Sequence, residues 1–286
     1  MTLDSLLTQL PLIAIVTIPA LVIGSRLSTQ IQFIVKANIC LFFILFFSAF
    51  GTIVAIIFAL IGKRGLINWV TARGYAYIAG GAVGISYRVD GEEHMNTERP
   101  AIYICNHQSA GDLFVLGRIF PKNCVVVSKS SLKFVPIMGM FMILGQAVFL
   151  DRKNHNGAVS ALSKAAQDIK RLKISAFVFP EGTRARLEEA DLLPFKKGAF
   201  HMAVQAGIPI IPIVVANYSD IYSSRQRIFR GGQIHIKVLP SIETTGIDVD
   251  DKDQINDLAK KAREIMLKTL KEITPDTNGA AKRSDL

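Results

Sequence analysis

Hydrophobic residues are distributed very differently in the first 62 residues and in the rest of the chain. Two stretches near the N-terminus contain no charged residue, namely Ser5 to Ser25 and Ala37 to Gly62. A helix crosses the hydrocarbon core of a bilayer with about 20 apolar residues, and the second stretch is long enough for this. We therefore predict that residues 1–62 form a membrane-embedded region, with apolar segments at about 6–24 and 38–61.

The sequence leaves the depth of these two segments open. Pro11 and Pro19 interrupt the first segment, which can span the bilayer, lie in its interface, or dip in and return. The two segments can also form a hairpin that never fully crosses. Basic residues are more numerous after the second segment than before it, so the positive-inside rule places the following block in the cytosol. These residues are Lys63, Arg64, Arg73 and Arg88 after the segment, against Arg26 and Lys36 before it.

From residue 101 onward, short apolar runs alternate with segments of helical periodicity. The predicted strands are 101–105, 125–127, 147–150, 176–179, 208–215 and 234–239. The predicted helices are 113–116, 135–144, 158–172, 200–206 and 253–273, the last of them solvated. This alternation indicates an α/β sandwich around a largely parallel sheet. Residues 63–273 have the length of one domain, and we predict that the polar residues 274–286 form a disordered tail.

Charge and cysteine content narrow the possible partners. The 286 residues carry a formal net charge of +10, and half of them are apolar. A basic domain attached to a membrane suits anionic lipid headgroups or phosphorylated substrates. The sequence has neither a basic and aromatic stripe nor a known nucleic-acid module, so we expect no nucleic-acid partner. Cys40, Cys105 and Cys124 form no CxxC pattern, which favours a reducing compartment over disulfides or a zinc site.

The first candidate site, Asn106 to Asp112, joins a predicted strand to a predicted helix. In open α/β sheets, ligands bind at the carboxyl ends of the strands, which is where His107 lies. Two residues five positions apart on one helix point about 140° away from each other. His107 and Asp112 can therefore meet only if His107 lies in the turn. The carboxylate would then hold one ring nitrogen and leave the other as a general base. The alternative is that Asp112 is only a favourable charge at the helix N-terminus.

No serine or cysteine stands beside this pair as an obvious nucleophile. Cys105 lies two residues before His107. We interpret it as a buried strand residue, because free cysteine behaves as a small hydrophobic side chain. A base without a protein nucleophile indicates that His107 activates a hydroxyl group of the substrate.

The second candidate site, Phe179 to Arg184, also follows an apolar strand. Gly182 permits the close approach of a backbone, Thr183 supplies a hydroxyl group, and Arg184 supplies a planar group that matches phosphate oxygens. These residues indicate an anion-binding site. Glu181 fits such a site if it hydrogen-bonds a substrate hydroxyl or holds Arg184. The alternative is a turn with a surface ion pair.

Two further cationic residues stand at the ends of predicted strands. Arg152 follows the strand at 147–150, and Lys129 follows the strand at 125–127. Because the carboxyl ends of parallel strands meet at one edge of a sheet, both side chains can reach the edge that carries His107. Taken singly, each can be a solvated surface residue. Together with a candidate base, they favour a phosphorylated substrate with a reactive hydroxyl group.

These segments resemble the four motifs of the glycerolipid acyltransferases in order and spacing. The likeness is greatest to the 1-acylglycerol-3-phosphate O-acyltransferase family, in its eukaryotic, fungal-like form, and it covers residues 65–270. One departure concerns Gly145, which stands four residues before Phe149, whereas the family usually has glycine three residues before it. The four motifs are Asn106 to Asp112, Phe149 to Arg152, Phe179 to Arg184 and Ile208 to Pro212.

The resemblance implies transfer of an acyl chain from acyl-CoA to the sn-2 hydroxyl of 1-acyl-sn-glycerol 3-phosphate, which gives phosphatidic acid and CoA. In that reaction His107 would be the base and Asp112 would orient it. The reaction requires no cofactor and no metal, although a divalent ion can accompany the phosphate. The family also implies an integral membrane protein of the endoplasmic reticulum, and the fourth motif would shape the acyl pocket or pack the sheet. The glycerol phosphate would be held by Arg152, Glu181, Gly182, Thr183 and Arg184, with Lys129 a weaker candidate.

Two rival functions stay open at this point. One is an acyltransferase for another lysophospholipid, and the other is a non-catalytic membrane protein that binds lipid. An altered His107 or Asp112 would favour the second, but both residues are present. A hydrolase of the α/β type would need a Gly-x-Ser-x-Gly elbow, and the sequence has none.

Overall fold

The structure is a computed structural model that describes residues 28–95, 97, 99–151, 154–187 and 189–275. The predicted apolar segment at 6–24 lies outside the described residues. Arg152 and the tail from residue 276 onward also lie outside them, so the predictions for these parts stay predictions.

A seven-stranded sheet forms the centre of the described part of the chain. The strands are β1 (Ile85–Asp90), β2 (Ile102–Cys105), β3 (Cys124–Lys129), β4 (Val148–Leu150), β5 (Ser175–Val178), β6 (Ile210–Val215), β7 (Tyr222–Ser223), β8 (Ile228–Phe229) and β9 (Gly232–Val238). The sheet has the order β1-β9-β6-β2-β5-β3-β4, and β7 and β8 form a separate hairpin. Within the sheet, every neighbouring pair is parallel except β6 and β9. The carboxyl ends of β2 to β6 therefore lie along one edge.

Helices cover both faces of this sheet. They are α1 (Thr29–Leu60), α2 (Ile67–Gly74), α3 (Gly80–Val83), α4 (Asp112–Ile119), α5 (Met138–Leu144), α6 (His155–Leu172), α7 (Gly198–Ala206) and α8 (Lys252–Ile273). A π-helical turn, Tyr75–Ala79, joins α2 to α3. Short 3₁₀ helices lie at Arg64–Leu66, Glu92–Met95 and Ser130–Phe134.

The central strand β2 shows why the chain forms two hydrophobic layers. Successive side chains of a strand point to opposite faces of the sheet. Ile102 and Ile104 are buried in the layer that contains α6, α7 and α8. Tyr103 and Cys105 are buried in the opposite layer, with residues of α1, α4 and the π-helical turn. Strands buried on both faces have nearly continuous apolar sequences, as β2 and β6 do. The predicted α/β sandwich around a largely parallel sheet is confirmed.

Helix α1 is the one helix in the described residues that is long and apolar enough to cross a membrane. One side of it packs against the rest of the protein. Near its N-terminal end, Lys36 Nζ donates hydrogen bonds to the carbonyl oxygens of Val83 and Arg230, at 2.8 and 2.7 Å. Farther along, the Phe47 ring packs edge-on against Tyr75, with the ring centroids 6.3 Å apart.

The opposite side of α1 exposes large apolar side chains. The short helix α5 packs beside α1, because Gly51 leaves room there for the ring of Phe141. Helix α5 and the segment before it expose further apolar side chains, which include Phe134 and Met140. The exposed side chains of α1 include Ile34, Leu41, Phe42, Leu45, Phe46, Phe50, Ile53, Ile56, Ile57 and Leu60.

Two helices differ from their predictions. The solvated helix predicted at 253–273 has a buried apolar face that includes Ile255, Leu258 and Met266, so the prediction of full solvation is wrong. With Ala262, these residues recur every three to four positions, which is the spacing of one helix face. The helix predicted from residue 135 begins at Met138, after Pro136. Proline disfavours the helical conformation of the residue before it, which accounts for the later start.

Candidate active site

His107 and Asp112 lie at the carboxyl end of β2. His107 is in the loop after the strand, and Asp112 is the first residue of α4. His107 Nδ1 lies 2.6 Å from a carboxylate oxygen of Asp112. The side chain of Asp112 is 3% exposed and that of His107 is 19% exposed. The structure thus brings the two predicted side chains together and leaves the imidazole accessible from one side, while the catalytic role of each stays a prediction.

The Asp112 carboxylate is held by four hydrogen bonds. The oxygen that meets His107 also accepts hydrogen bonds from the backbone N–H groups of Gln108 and Ser109, at 2.7 and 2.9 Å. The other oxygen accepts a hydrogen bond from the Tyr218 hydroxyl at 2.5 Å. A buried carboxylate with this many donors is fixed in position, because hydrogen bonds from the protein take the place of those from water. The loop therefore folds around Asp112.

Tyr218 is a site residue that the sequence analysis missed. It follows β6, is buried, and its hydroxyl lies 2.8 Å from Ser109 Oγ as well as bonding Asp112. Burial raises the pKa of Tyr218 well above its usual value, and the neighbouring Asp112 charge raises it further. The hydroxyl therefore stays protonated and donates. No local signal could reveal this contact, because it depends on β6 pairing with β2.

The imidazole of His107 is fixed by a ring contact as well. It stacks on the Phe179 ring with the centroids 4.1 Å apart and the planes 24° apart. Nδ1 is engaged by Asp112, and within the described part of the chain no hydrogen bond reaches Nε2. A ring held at one nitrogen and along one face presents the other nitrogen in a defined direction. This is the geometry of a general base that awaits a substrate proton.

Two amide side chains attach the loop between β2 and α4, residues 106–111, to β6; we call it the catalytic loop after its predicted role. Asn106 is buried, donates to the Val215 carbonyl at 2.9 Å and accepts from the Val215 N–H at 2.8 Å. Gln108 donates to the carbonyl oxygens of Val215 and Ala216, at 3.0 and 2.9 Å. Through these side chains, the chain stays hydrogen-bonded to β6 beyond the end of β2.

Glu181 is placed by the structure inside the protein. It is 2% exposed, and its two carboxylate oxygens accept hydrogen bonds from the backbone N–H groups of His107 and Leu193, at 2.7 and 3.0 Å. Burial raises its pKa, whereas the two N–H donors and the nearby His107 act in the opposite direction. In this structure Glu181 joins the catalytic loop to the segment before α7. Its predicted contact with substrate stays a prediction, and both of its oxygens are engaged here.

Among the other predicted substrate-binding residues that the structure describes, Thr183, Arg184 and Lys129 lie at the same edge of the sheet and are exposed. Thr183 and Arg184 follow β5, and Lys129 ends β3. Gly182 has a φ of +69°, a conformation that residues with a Cβ rarely adopt. The segment after Arg184 is anchored to the catalytic loop, because the Ala185 N–H donates to the His107 carbonyl at 2.7 Å. These groups therefore share with His107 the edge formed by the carboxyl ends of the parallel strands, and their contact with substrate stays a prediction.

Three glycines near the motifs have definite local roles. The N–H of Gly182 donates to the Phe179 carbonyl at 3.1 Å, and that of Gly111 donates to Ser109 Oγ at 3.0 Å. Neither N–H is therefore directed at a substrate oxyanion in this structure. A Cβ at Gly145 would lie 2.3 Å from a side-chain oxygen of Asn68. Close packing, rather than catalysis, accounts for Gly145.

The other chemical groups near the loop have no evident catalytic arrangement. Cys105 is fully buried, and burial raises the pKa of its thiol well above the usual value, so it is not a thiolate nucleophile. This agrees with its interpretation as a strand residue. Among the described residues, no group of three or more His, Cys, Asp or Glu side chains can hold a metal ion. Whether the reaction requires a metal is a separate matter and stays a prediction.

Known proteins match this chain over the region that carries the four motifs. The acyltransferase family model matches residues 86–216, which contain all four motifs. The chain is 44% identical over 224 residues to the 1-acyl-sn-glycerol-3-phosphate acyltransferase of Saccharomyces cerevisiae, covering 78% of this chain and 73% of that protein. It is 38% identical over 196 residues to the human 1-acyl-sn-glycerol-3-phosphate acyltransferase alpha, covering 68% of each chain.

A solved structure has the same fold. The crystal structure of the 1-acyl-sn-glycerophosphate (LPA) acyltransferase PlsC from Thermotoga maritima matches with a TM-score of 0.69 and 21% identity. The match covers 86% of this chain and 98% of that one. At this identity the likeness concerns the fold alone. Together with the sequence relatives, it leads to one conclusion: the chain belongs to the 1-acyl-sn-glycerol-3-phosphate acyltransferase family.

Proposed function

We propose that the protein transfers an acyl chain from acyl-CoA to the sn-2 hydroxyl of 1-acyl-sn-glycerol 3-phosphate, and so forms phosphatidic acid and CoA. The observation that carries this proposal is the His107–Asp112 pair, 2.6 Å apart at the end of β2, beside exposed cationic side chains. The names of the relatives support the acceptor. Acyl-CoA as the donor and the absence of a cofactor are part of the proposal, and the chemistry below is consistent with both.

The first chemical step is the attack of the acceptor hydroxyl on the thioester carbonyl. His107 Nε2 takes the hydroxyl proton while the hydroxyl oxygen bonds to the carbonyl carbon, which gives a tetrahedral oxyanion. Asp112 stabilises the imidazolium that results, through the bond to Nδ1. The oxyanion then collapses, the C–S bond breaks, and the Nε2 proton passes to the CoA sulfur. A thioester is already activated, so the step needs neither a covalent acyl-enzyme nor a metal.

The acceptor phosphate is bound by cationic and hydroxyl groups at the neighbouring strand ends. Arg184 offers several N–H donors in a plane that fits phosphate oxygens, and Thr183 adds a hydroxyl. Lys129 ends β3 and extends the positive charge along the edge. Arg152, which follows Leu150 and Asp151 in the sequence, is part of the same proposal. Glu181 supports these residues from inside the protein, where its buried carboxylate accepts hydrogen bonds from two backbone N–H groups.

The apolar surface of the molecule supports a location of the active site at a membrane surface. The outward side of α1, together with the exposed Phe134 and Met140, provides a face of large apolar side chains. We propose an integral membrane protein of the endoplasmic reticulum whose catalytic domain faces the cytosol. In that position both lipid substrates reach the site from the bilayer surface, where they reside.

The test compares wild type with His107→Ala in membranes at equal expression. Conversion of labelled 1-acyl-sn-glycerol 3-phosphate to phosphatidic acid is measured with and without acyl-CoA. We expect acyl-CoA-dependent activity in wild type and a loss of about 10²–10⁴-fold in the variant, which is the usual contribution of a general base.

Two results would contradict the proposal. Equal activity of both proteins would remove His107 from the mechanism. Activity of wild type on a different lysophospholipid, without activity on 1-acyl-sn-glycerol 3-phosphate, would keep the reaction type and replace the acceptor. His201→Ala is the matched control, because His201 lies on α7, away from the catalytic loop, and forms no hydrogen bond described for the loop.

A further inference from the structure

A cleft with positively charged walls lies next to the catalytic loop. It is open to solvent and begins at Gln108 and Ser109, directly after His107. Its far walls come from the segments after β5 and β6. The lining includes Arg186, Arg225, Ser223 and Ser224.

The chemistry of this cleft is that of an anion site. Among the described residues, its lining contains two guanidinium groups and several hydroxyl groups but no carboxylate. Glu189 and Asp191 line only an adjoining outer opening, which the two arginines share. In the described residues, neither Arg186 nor Arg225 forms an ion pair with a carboxylate. Guanidinium and hydroxyl donors around an open cleft match phosphate oxygens.

Backbone hydrogen bonds bring Arg186 to this side of the active site. The Arg186 N–H donates to the Gln108 carbonyl at 3.1 Å, so the segment after β5 runs along the catalytic loop. Asn217, which follows β6, then donates to the Leu187 carbonyl at 3.2 Å. The segment therefore crosses the end of β2 and reaches the β6 side, where Arg225 lies.

Positively charged side chains lie on both sides of His107 along this edge of the sheet. β2 lies between β5 and β6 in the sheet. Lys129 ends β3, which lies beyond β5, whereas Arg225 follows β6. Arg184, which follows β5, is near the cleft as well, since its charge acts on Tyr222 in the lining. The proposed reaction brings two phosphate-bearing molecules to one base, and each needs its own cationic contacts. The phosphates of a CoA thioester are separated from the reacting carbonyl by the pantetheine arm, so they bind beside the base and not at it.

We propose that the cleft between Arg186 and Arg225 binds the phosphate groups of the CoA part of the acyl donor. This inference rests on the proposed function. It assigns the donor to the β6 side of His107 and leaves the acceptor phosphate on the β5, β3 and β4 side. The acceptor is also a phosphate, so the experiment must separate the two sources.

The experiment measures Arg186→Ala and Arg225→Ala with two donors, an acyl-CoA and the same acyl chain on pantetheine, which lacks phosphate. With acyl-CoA we expect the KM for the donor to rise about tenfold in each variant, the effect of losing one charge-assisted hydrogen bond. The KM for 1-acyl-sn-glycerol 3-phosphate should stay within about twofold of wild type, since that phosphate binds elsewhere. With acyl-pantetheine the variants should equal wild type, which also shows that they are folded. Arg227→Ala is the matched control, because Arg227 lies in the same loop but does not line the cleft.

Three results would overturn the assignment. A higher KM for the acceptor with an unchanged KM for acyl-CoA would give the cleft to the acceptor phosphate. If both variants behave like Arg227→Ala with both donors, the cleft does not bind the phosphate groups. An equal loss with acyl-CoA and acyl-pantetheine would show that the arginines act on structure or on catalysis. If wild type turns over no acyl-CoA at all, the proposed function fails, and this is measured before any variant.

Discussion

Asp112 and Arg184 carry opposite charges at the same edge of the sheet, and the protein treats them in opposite ways. Asp112 is buried, and its two oxygens accept four hydrogen bonds from the protein. Arg184 is exposed, as are Thr183 beside it and Lys129 at the end of β3. Within the described residues, no side-chain hydrogen bond or ion pair is found for these three.

In the proposed mechanism, this difference separates the groups that perform the reaction from the groups that bind the substrate. A base must already be oriented when the hydroxyl arrives, because any reorganisation during the reaction adds to the barrier. The protein therefore stabilises the orientation of His107 during folding. A phosphate-binding arginine can be ordered by the phosphate itself, at the cost of some side-chain entropy on binding. Substitutions in the first group should thus lower kcat, and those in the second should raise KM.

The largest expected effect in this comparison follows from Asp112→Asn. The carboxamide can present an N–H to His107 Nδ1, which then accepts, and the ring proton moves to Nε2, so the base is lost. We expect kcat to fall about 10²–10⁴-fold, with little change in the KM for either substrate. Steady-state kinetics in membranes would measure this.

Asp220→Asn is the control for that variant. Asp220 is an exposed carboxylate in the loop after β6 and has no described contact with His107. Its loss should leave kcat within about twofold of wild type. Equal losses in the two variants would mean that negative charge near the loop matters, and not the orientation of the imidazole.

The sequence was informative about residues whose surroundings are local. The runs that form β2, β5 and β6 are apolar and short, and their order along the chain indicated a parallel sheet with His107 at the end of a strand. The helix start at Asp112 was also recognisable, since a carboxylate is favourable at a helix N-terminus.

Contacts between distant segments could not be predicted in this way. Tyr218 reaches Asp112 only because β6 lies beside β2, and nothing near Tyr218 in the sequence indicates that neighbour. Glu181 likewise accepts a hydrogen bond from Leu193, twelve residues away across a loop. The motif suggested a carboxylate that faces substrate, whereas the fold directs it at backbone N–H groups. The buried face of α8 was visible as spaced apolar residues, but the many charges around it favoured a solvated interpretation.

Arg184→Ala tests the other side of the comparison. We expect the KM for 1-acyl-sn-glycerol 3-phosphate to rise about 10- to 100-fold, because charge-assisted hydrogen bonds to phosphate are lost, with a smaller change in kcat. Arg184→Lys should recover only part of the loss, since an ammonium group keeps the charge but not the planar donors. Kinetics with the acceptor varied at saturating donor would measure this.

Lys173→Ala is the matched control for the removal of positive charge. Lys173 is exposed and precedes β5, so it lies at the edge of the sheet opposite to His107. Its loss should not change the KM for the acceptor. A fall in kcat for Arg184→Ala as large as that for Asp112→Asn would contradict the division, because Arg184 would then belong to the catalytic machinery.

The smallest expected effect, and the most specific, follows from Tyr218→Phe. The variant keeps the packed ring and removes one hydrogen bond to Asp112, so we expect kcat to fall about three- to tenfold with both KM values unchanged. The raised pKa keeps the wild-type hydroxyl protonated through the neutral range, so Tyr218 itself does not titrate there. Tyr87→Phe removes a comparable hydrogen bond, to the Ala76 carbonyl at 3.0 Å, far from the His107–Asp112 pair. An equal fall in kcat in both variants would reduce Tyr218 to a packing residue, whereas a fall in Tyr218→Phe alone would place it among the groups that orient the base.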